Sequence, residues 1–249
     1  MINESYIYGI HPVMEAIKEH KEIDKVLIQS DLRNPHLTEL RKLLKEYKIS
    51  SQNIPLQRLN HISKKNHQGV MAYLSPVEFQ PFEEVLSKAY ESGESPLFLL
   101  LDRISDVGNF GAICRTAECT GVHGVIVPVK GSAQVNAESV KRSSGAILKT
   151  NLSRERDLAA VAQTLQNSGL QIIACSEKTE NYIYDVDFTK PTAIVMGSEE
   201  DGINSHIMRL ADKVVKIPMQ GSIESLNVSV SAGVILYEAI RQKRNAKAI

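Results

Sequence analysis

Five apolar runs, each about as long as a single β-strand, constrain the fold of the second part of the chain more than any other feature. They span residues 97–101, 124–127, 170–174, 192–196 and 213–217. An uninterrupted apolar run of this length is typical of a strand that is buried on both faces, as in a parallel sheet. Helical patterns lie between several of the runs, notably at 111–119 and 157–167, and a long one follows at 228–243. Strands that alternate with helices predict an α/β fold with a mostly parallel sheet.

The front of the chain predicts a small α/β unit of its own. Apolar residues at helical spacing predict helices at 12–20 and 35–48, and short β-rich runs predict strands at 25–29 and 69–74. Between Ser75 and Pro96 the chain holds three prolines and five glutamates, a composition that predicts a linker with one short helix. The predicted organisation is therefore a first domain of residues 1–75, a linker of residues 76–95 and a second domain of residues 96–249.

The net charge alone indicates no nucleic-acid partner, because Lys plus Arg and Asp plus Glu both total 29. The distribution of charge is uneven, however. Residues 1–75 carry 11 basic and 8 acidic side chains and five of the seven histidines, whereas residues 76–101 carry one lysine and five glutamates. Either a solvated surface or a surface that faces nucleic acid explains the basic front.

Several classes of protein are disfavoured by the sequence. No stretch approaches the ~20 apolar residues that a membrane-spanning helix needs, and the N-terminus lacks the pattern of a secretory signal. Cys114, Cys119 and Cys175 show no CxxC spacing, so neither a disulfide framework nor a zinc site is supported. We therefore predict a cytoplasmic protein without a metal ion and without a membrane partner.

Three segments that follow predicted strands carry unusual polar and glycine residues, and we name them loop one (102–115), loop two (196–202) and loop three (217–229). Ligands of open α/β sheets bind beyond the carboxyl ends of the strands, where such loops lie. Each loop also has a plain structural interpretation: a strand-to-helix turn, an acidic surface turn, and a helix cap at Ser225 or Asn227. The glycine spacings of dinucleotide-binding and P-loop proteins are absent, which disfavours a nicotinamide oxidoreductase.

Taken together, the three loops resemble the motifs of the SpoU (TrmH) family of RNA ribose 2′-O-methyltransferases in the SPOUT superfamily. The matching motifs are Asn109-x-Gly111-x-x-x-Arg115, Met196-Gly-Ser-Glu199-x-x-Gly202 and Ile217-Pro-Met-x-Gly-Ser-x-x-Ser225-Leu-Asn227-Val-Ser229. The front of the chain is similar to the amino-terminal domain of the RlmB branch, through Tyr8-Gly-Ile-His11-Pro-Val and His67-Gln-Gly-Val70. That branch methylates a guanosine of 23S rRNA in the peptidyl-transferase region.

The resemblance implies a fold, a cofactor and an assembly. It implies a SPOUT α/β domain with a deep trefoil knot after residue 96 and an L30e/L7Ae-like α/β domain that binds RNA before residue 75. It implies S-adenosylmethionine as the cofactor, held largely through backbone atoms of loops two and three, and a homodimer that completes the site. The residues that would bind the cofactor are Gly197, Ile217, Met219 and Leu226.

The resemblance also implies that Arg115 is the central catalytic residue. A guanidinium with a pKa above ~12 is a poor base, so we favour a role in holding phosphate and in stabilising the developing alkoxide. Asn109 would orient Arg115 or the ribose, and Glu199 would hold Arg115 or the substrate. Ser225 and Asn227 would fix loop three and the nucleophile.

Two questions stay open at this point. Relatives of this kind also act on tRNA or on an rRNA adenosine, and a non-catalytic RNA-binding or ribosome-assembly protein could retain the fold. In the first domain, the side chains that could face RNA share a positive charge or an imidazole ring. They are Arg33, Arg41, Lys42, Lys64, Lys65 and His67.

Overall fold

The structure is a computed structural model that describes residues 6–247. The chain divides into two compact units. The first unit comprises Met1–Glu78 together with Gln134–Glu138, and the second comprises Phe79–Ala133 together with Ser139–Ile249.

The first unit contains a four-stranded mixed sheet with the strand order β1-β4-β2-β3 and three helices. Strands β2 and β3 are parallel, whereas β4 is antiparallel to both β1 and β2. The elements follow the chain as β1 (Tyr6–Tyr8), α1 (Ile10–Lys18), β2 (Ile23–Gln29), α2 (Leu37–Glu46), β3 (Ser50–Ile54), α3 (Leu56–Ile62) and β4 (Val70–Leu74).

Apolar stripes of α1 and α2 form the core of the first unit. Val13 and Ile17 of α1 pack with Leu40 and Leu44 of α2 against the apolar face of the sheet. The two helices and two strands predicted here are present, with ends that differ by about two residues, as is usual for helix and strand boundaries. The segment Ser50–Ile54 was not predicted, because four of its five residues are polar and it lies at the edge of the sheet.

The second unit is built on a six-stranded sheet in which all neighbouring strands are parallel, with the order β10-β8-β9-β5-β6-β7. Its strands are β5 (Leu97–Asp102), β6 (Gly124–Pro128), β7 (Leu152–Glu155), β8 (Gln171–Cys175), β9 (Thr192–Gly197) and β10 (Lys213–Val215). Its helices are α4 (Phe82–Glu91), α5 (Val107–Cys119), α6 (Ala137–Arg142), which begins in the first unit, α7 (Leu158–Asn167), α8 (Ser205–Leu210) and α9 (Val228–Lys247).

The prediction of an α/β fold with a parallel sheet is confirmed. All six residues of β5 are buried, and the neighbouring β6 and β9 are almost wholly buried, as expected for strands covered on both faces. Strand β7 was not predicted, because its sequence Leu-Ser-Arg-Glu shows no apolar run.

The strand register brings the three loops to one edge of this sheet. Asp102 pairs with Gly197 at the ends of β5 and β9. Cys175 of β8 pairs with Met196 on one side and with Val215 of β10 on the other. Because these strands are parallel, their carboxyl ends share one edge, and loops one, two and three all begin there. The trefoil knot stays a prediction.

The structure differs from the predicted linker of residues 76–95. Helix α4 occupies Phe82–Glu91, and Phe82, Val85 and Leu86 are buried in the core of the second unit. Their spacing is that of one apolar helix face. The short helix expected in the linker is therefore present, but it packs into the second unit, to which most of the segment belongs.

Among residues 6–247, no helix is both long and apolar enough to cross a lipid bilayer.

Candidate active site

Loop one turns from β5 into α5 and presents two of the predicted side chains. Asp106 is the N-cap of α5, and its Oδ1 accepts a hydrogen bond of 2.7 Å from the backbone N–H of Asn109. Gly111 lies where α5 approaches another segment closely, since a Cβ there would be 2.6 Å from Cβ of Arg142. The cap and the glycine thus place Asn109 on the first turn of α5.

Arg115 lies farther along α5 and is exposed. Its Nη1 donates a hydrogen bond of 3.2 Å to Oγ of Ser144, a residue in the left-handed region with φ of 53°. Asn109 was predicted to orient Arg115 or the ribose, and Glu199 to hold Arg115 or the substrate. In the single chain both side chains bond to Asn227 of loop three and not to Arg115.

Loop two folds back on the end of β9. A Cβ at Gly197 would overlap the backbone of Gly202 and Ile203, so only glycine permits this return. The backbone N–H of Gly202 donates to the carbonyl oxygen of Ser198 at 2.9 Å and closes the loop. This turn holds Glu199 at the sheet edge, in an exposed position.

An ion-pair clamp, consisting of Asp102 and Arg103, fastens loop two to the end of β5. Arg103 donates from Nη1 to Oδ2 of Asp201 and from Nη2 to the carbonyl oxygen of Gly202, both at 3.1 Å. Its Nε also contacts Oδ1 of buried Asp102 at 3.2 Å, and Oδ2 of Asp102 accepts the N–H of Asn204 at 2.6 Å. Sequence reasoning missed this clamp, although two charged residues directly after a fully buried strand were a usable signal.

The irregular part of loop three ends at Asn227, which caps the last helix. Its carbonyl oxygen accepts the N–H of Ser231, and its side-chain Oδ1 accepts the N–H of Ser229, both at 2.9 Å. These are the contacts of an N-cap residue. Of the two candidates, Asn227 is therefore the cap of α9, and Ser225 lies two residues earlier in the exposed part of the loop.

The amide nitrogen of the Asn227 side chain joins all three loops. Its Nδ2 donates to Oδ1 of Asn109 at 3.0 Å and to Oε1 of Glu199 at 2.9 Å. Oε1 of Glu199 also accepts the backbone N–H of Val228 at 3.3 Å, so the carboxylate lies at the positive end of α9. We call Asn109, Glu199 and Asn227 the amide–carboxylate cluster.

The predicted cofactor residues surround a stretch of irregular backbone. Gly197 ends β9, and Ile217 and Met219 follow β10 as half-buried residues. Residues 217–227 form neither helix nor strand, and Leu226 is 37% exposed. Here apolar side chains lie beside backbone N–H and C=O groups that take no part in a β-ladder. This combination suits a ligand with an adenine ring and a polar tail. These residues therefore fit S-adenosylmethionine.

Neither thiol near the sheet is available as a nucleophile. Burial raises the pKa of Cys175, at the end of β8, to about 12, and it raises the pKa of Cys114 still further. The three loops contain no histidine that could act as a base. In the described part of the chain, no group of three or more His, Cys, Asp or Glu side chains could hold a metal ion. Glu199 thus carries the one ionisable side chain of the cluster.

Two family descriptions match the chain. Residues 96–237 match the SpoU rRNA methylase family, and residues 6–80 match the domain described as RNA 2′-O ribose methyltransferase substrate binding. A relative from Staphylococcus saprophyticus is 34% identical over 244 residues, which cover 98% of each chain. Another, YacO of Bacillus subtilis, is 30% identical over 240 residues, which cover 96% of each chain. Both carry names that place them among TrmH family tRNA/rRNA methyltransferases.

Solved structures agree with these matches. The SpoU methyltransferase AviRb from Streptomyces viridochromogenes, in complex with the cofactor AdoMet, is 26% identical with a TM-score of 0.62, and the match covers 97% of this chain and 91% of that one. The A. aeolicus TrmH/SpoU tRNA modifying enzyme is 32% identical with a TM-score of 0.57, and the match covers 66% of this chain and 85% of that one. The resemblance predicted from the three loops is confirmed: the chain belongs to the SpoU rRNA methylase family.

Proposed function

We propose that this protein transfers the methyl group of S-adenosylmethionine to the ribose 2′-hydroxyl of a guanosine in 23S rRNA, in the cytoplasm. The observation that carries the proposal is the convergence of the three family motifs in the amide–carboxylate cluster. The match of residues 6–80 to a substrate-binding domain, the names of the relatives and the cofactor in the AviRb complex support it.

Gly197, Ile217, Met219 and Leu226 would hold the cofactor beside the cluster. When bound, S-adenosylmethionine supplies a methyl group on a sulfonium, which is a strong electrophile. The chain must hold the acceptor hydroxyl in line with that methyl group, because alignment at near-attack distance supplies much of the rate enhancement. The clamp at Asp102 and Arg103 contributes by keeping loop two in one conformation.

The amide–carboxylate cluster would orient the ribose. A hydroxyl is a poor nucleophile until its proton begins to leave, and Oε1 of Glu199 is occupied by the Asn227 amide and the Val228 N–H. We assign Glu199 to positioning the hydroxyl and Asn109 and Asn227 to fixing that carboxylate. Ser225, in the exposed part of loop three, would contact the substrate.

Arg115 would act on the negative charge of the reacting nucleotide. Its guanidinium is exposed and bonds to Ser144 rather than to the cluster, so a second copy of the chain would bring it to the reacting hydroxyl. A homodimer through α9 fits this arrangement, since Val230 and Tyr237 of that helix are 51% and 59% exposed. Isolated large apolar side chains are common on surfaces, but two on one helix, together with exposed Ile223 in the loop that precedes it, favour an interface.

Methylation of tRNA is the second candidate function, because the names of the relatives include both tRNA and rRNA. The A. aeolicus tRNA modifying enzyme matches only 66% of this chain. This chain also carries a match to an RNA substrate-binding domain at residues 6–80, which favours a larger RNA as the substrate.

The test is methyl transfer from labelled S-adenosylmethionine to bacterial 23S rRNA, 16S rRNA and tRNA, each transcribed in vitro. We expect label on 23S rRNA, in a guanosine whose 3′-phosphodiester resists alkaline hydrolysis because its 2′-hydroxyl is methylated. Arg115→Ala should lower the rate at least ~100-fold and leave cofactor affinity within a few fold, because an electrostatic stabiliser is lost. Arg115→Lys should restore little, since lysine lacks the planar guanidinium.

Arg156→Ala is the matched control, because Arg156 is also exposed in the second unit and lies outside the three loops. Label on tRNA alone would establish the second candidate. Cofactor binding without transfer to any of these RNAs would overturn the proposal.

A further inference from the structure

Two motifs that are 60 residues apart in the chain meet at one end of the first unit. The backbone N–H of Gly9, between β1 and α1, donates to the carbonyl oxygen of Val70 at 2.9 Å. Gly9, Gln68 and Gly69 have φ values of 90°, 50° and 77°. A Cβ on Gly9 would lie 3.2 Å from Oε1 of Gln68, so the glutamine side chain extends across this glycine. An exposed glutamine in the left-handed region is uncommon and is held there by its surroundings.

Buried His67 is what holds the turn. Its Nδ1 accepts the N–H of Gly69 at 3.1 Å, so Nε2 carries the proton and donates to Oδ1 of Asn60 at 2.8 Å. Both ring nitrogens are thereby used within the protein. The expectation that His67 faces RNA is wrong: His67 supports a rigid turn that presents Gln68 to solvent.

A pair of exposed histidines lies at the same end of the unit. His11 follows Gly9 in the first turn of α1, and His36 is the N-cap residue of α2. Their rings contact edge to face, with centroids 4.4 Å apart. Leu32, in the segment that leads to His36, reaches the Gly69 turn, where a Cβ would be 2.7 Å from its Cδ1. The histidine pair and the Gln68 turn therefore border one surface.

Basic groups dominate the charge around this surface. Nζ of Lys65 lies 5.4 Å from the centre of the Tyr8 ring, and Lys64 and Arg33 are exposed nearby in the chain. The acidic groups nearby include Glu39, whose Oε2 is 3.9 Å from Nδ1 of His36, and Asp31, which accepts a hydrogen bond from Gln29. Glu15, four residues after His11 in α1, is a third, and its Oε1 lies 3.7 Å from Nζ of Lys18. Glu39 is also paired with Lys18 at 3.3 Å, so it neutralises little of the local positive charge.

We propose that this surface, defined by His11, His36, Lys65 and Gln68 and named the histidine–lysine face, contacts unpaired nucleotides of the RNA substrate. Flat exposed rings stack on unpaired bases, a fixed amide reads base edges, and an ammonium group pairs with phosphate. The inference deepens the proposed function and rests on it. The alternative basic surface is the outer side of α2, where Arg41, Lys42 and Lys45 alternate with acidic residues.

The test compares full-length variants in filter binding to in-vitro-transcribed bacterial 23S rRNA at several salt concentrations. The double variant His11→Ala/His36→Ala should lower RNA affinity about 10-fold, the effect of losing one base stack. Lys65→Ala should lower affinity a few fold and decrease the salt slope by about one, because one phosphate contact is lost.

Each variant has a matched control in the same unit. Lys42→Ala removes the same charge from the outer side of α2. His20→Asn removes an exposed histidine at the far end of α1 and keeps a residue that tolerates the left-handed φ of 54° found there. Both controls should bind RNA within about twofold of the wild type. Melting temperature and S-adenosylmethionine affinity should be the same for all variants, since every replaced side chain is exposed in the first unit.

Two results would overturn the inference while leaving the proposed function intact. In the first, the wild type methylates 23S rRNA, but the variants of the histidine–lysine face bind this RNA with unchanged affinity. The other is an equal loss of affinity in Lys42→Ala and Lys65→Ala, which would indicate net charge rather than a defined face. A wild type that binds the cofactor but neither binds nor methylates RNA would instead refute the proposed function.

Discussion

Replacing Asn227 by aspartate separates its role as a helix cap from its role in joining the three loops. Asparagine and aspartate are nearly equal as N-cap residues, so a residue that only began α9 would tolerate the change. Nδ2 of Asn227, however, donates to Oε1 of Glu199 at 2.9 Å and to Oδ1 of Asn109 at 3.0 Å. A carboxylate oxygen cannot donate, so both contacts become oxygen against oxygen.

The size of the effect follows from these distances. Two unit charges about 3 Å apart repel by about 1.4 kcal/mol in water and by about 5 kcal/mol at an effective dielectric of 20. Because Glu199 is exposed, the lower value applies. Two lost hydrogen bonds add about 0.5–1.5 kcal/mol each. We expect Asn227→Asp to lower the free energy of unfolding by about 2–4 kcal/mol at neutral pH, and by less at about pH 4, where one carboxylate takes up a proton.

Urea denaturation of the wild type and the variant at both pH values measures this difference. Asn204→Asp is the control, because Asn204 caps α8 through the same kind of contact, Oδ1 accepting the N–H of His206 at 2.8 Å. It should change stability by less than about 1 kcal/mol. Equal losses in the two variants, or a loss in Asn227→Asp that does not depend on pH, would refute the role of Asn227 as the donor that joins the loops.

Three further changes test the supports of the site and of the fold. Gly197→Ala should lower stability by about 1–3 kcal/mol and weaken cofactor binding, because the added Cβ overlaps backbone rather than a movable side chain. Urea titration measures the stability, and calorimetry measures the cofactor affinity. Arg103→Asn keeps a residue that tolerates the φ of 61° but removes the clamp on loop two, so calorimetry should show cofactor affinity reduced about 5–10-fold. Burial lowers the pKa of His123, beside Glu94 and Lys243. The unfolded chain therefore binds more protons than the folded one, and unfolding free energy should fall as the pH drops below about 6.5.

Each of these three changes has a control elsewhere in the second unit. Gly221→Ala adds a Cβ with nothing within 4 Å and should leave stability unchanged. Arg209→Asn removes an exposed arginine of α8 and should not alter cofactor affinity. His123→Gln should abolish most of the loss of stability in weak acid, whereas His206→Gln, at an exposed position, should not. The reasoning on Gly197 is contradicted if Gly197→Ala is as stable as the wild type. The reasoning on the clamp is contradicted if Arg103→Asn binds the cofactor with full affinity, and that on His123 if the pH dependence of stability is the same in His123→Gln and the wild type.

The sequence predicted those elements whose pattern reflects their burial. Four of the six strands of the second unit, β5, β6, β8 and β9, are mostly apolar runs because both faces of each strand are covered. Helix α2 was evident because Leu40 and Leu44 repeat on one face. Strands β3 and β7 carry polar residues at the edges of their sheets. Arg154 of β7, for example, is buried over the ring of Phe79, with 3.7 Å between the guanidinium carbon and the ring centre. No local pattern predicts such a contact between distant residues.

The members of the site were easier to predict than their partners. Family motifs named Asn109, Glu199 and Asn227, and the structure brings these three together. Their hydrogen bonds span 118 and 28 residues along the chain, so the expected link from Glu199 to Arg115 was only one of several possible pairings. The clamp between Arg103 and Asp201 spans 98 residues and was missed for the same reason.

Helix α4 gives the most direct test of where the second unit begins. Phe82, Val85 and Leu86 are each at most 7% exposed and lie in its core. Burial of such side chains contributes about 1.5–3 kcal/mol each, and their sum of about 5–9 kcal/mol is comparable to the whole stability of a domain, about 5–15 kcal/mol. A fragment of residues 79–249 should therefore unfold cooperatively in urea, whereas one of residues 95–249 should not, as followed by circular dichroism. Both fragments lose the partner of Gln134–Glu138 equally, so the difference between them reports on residues 79–94, most of which form α4. Equal unfolding midpoints would show that this helix is the linker that its prolines and glutamates first suggested.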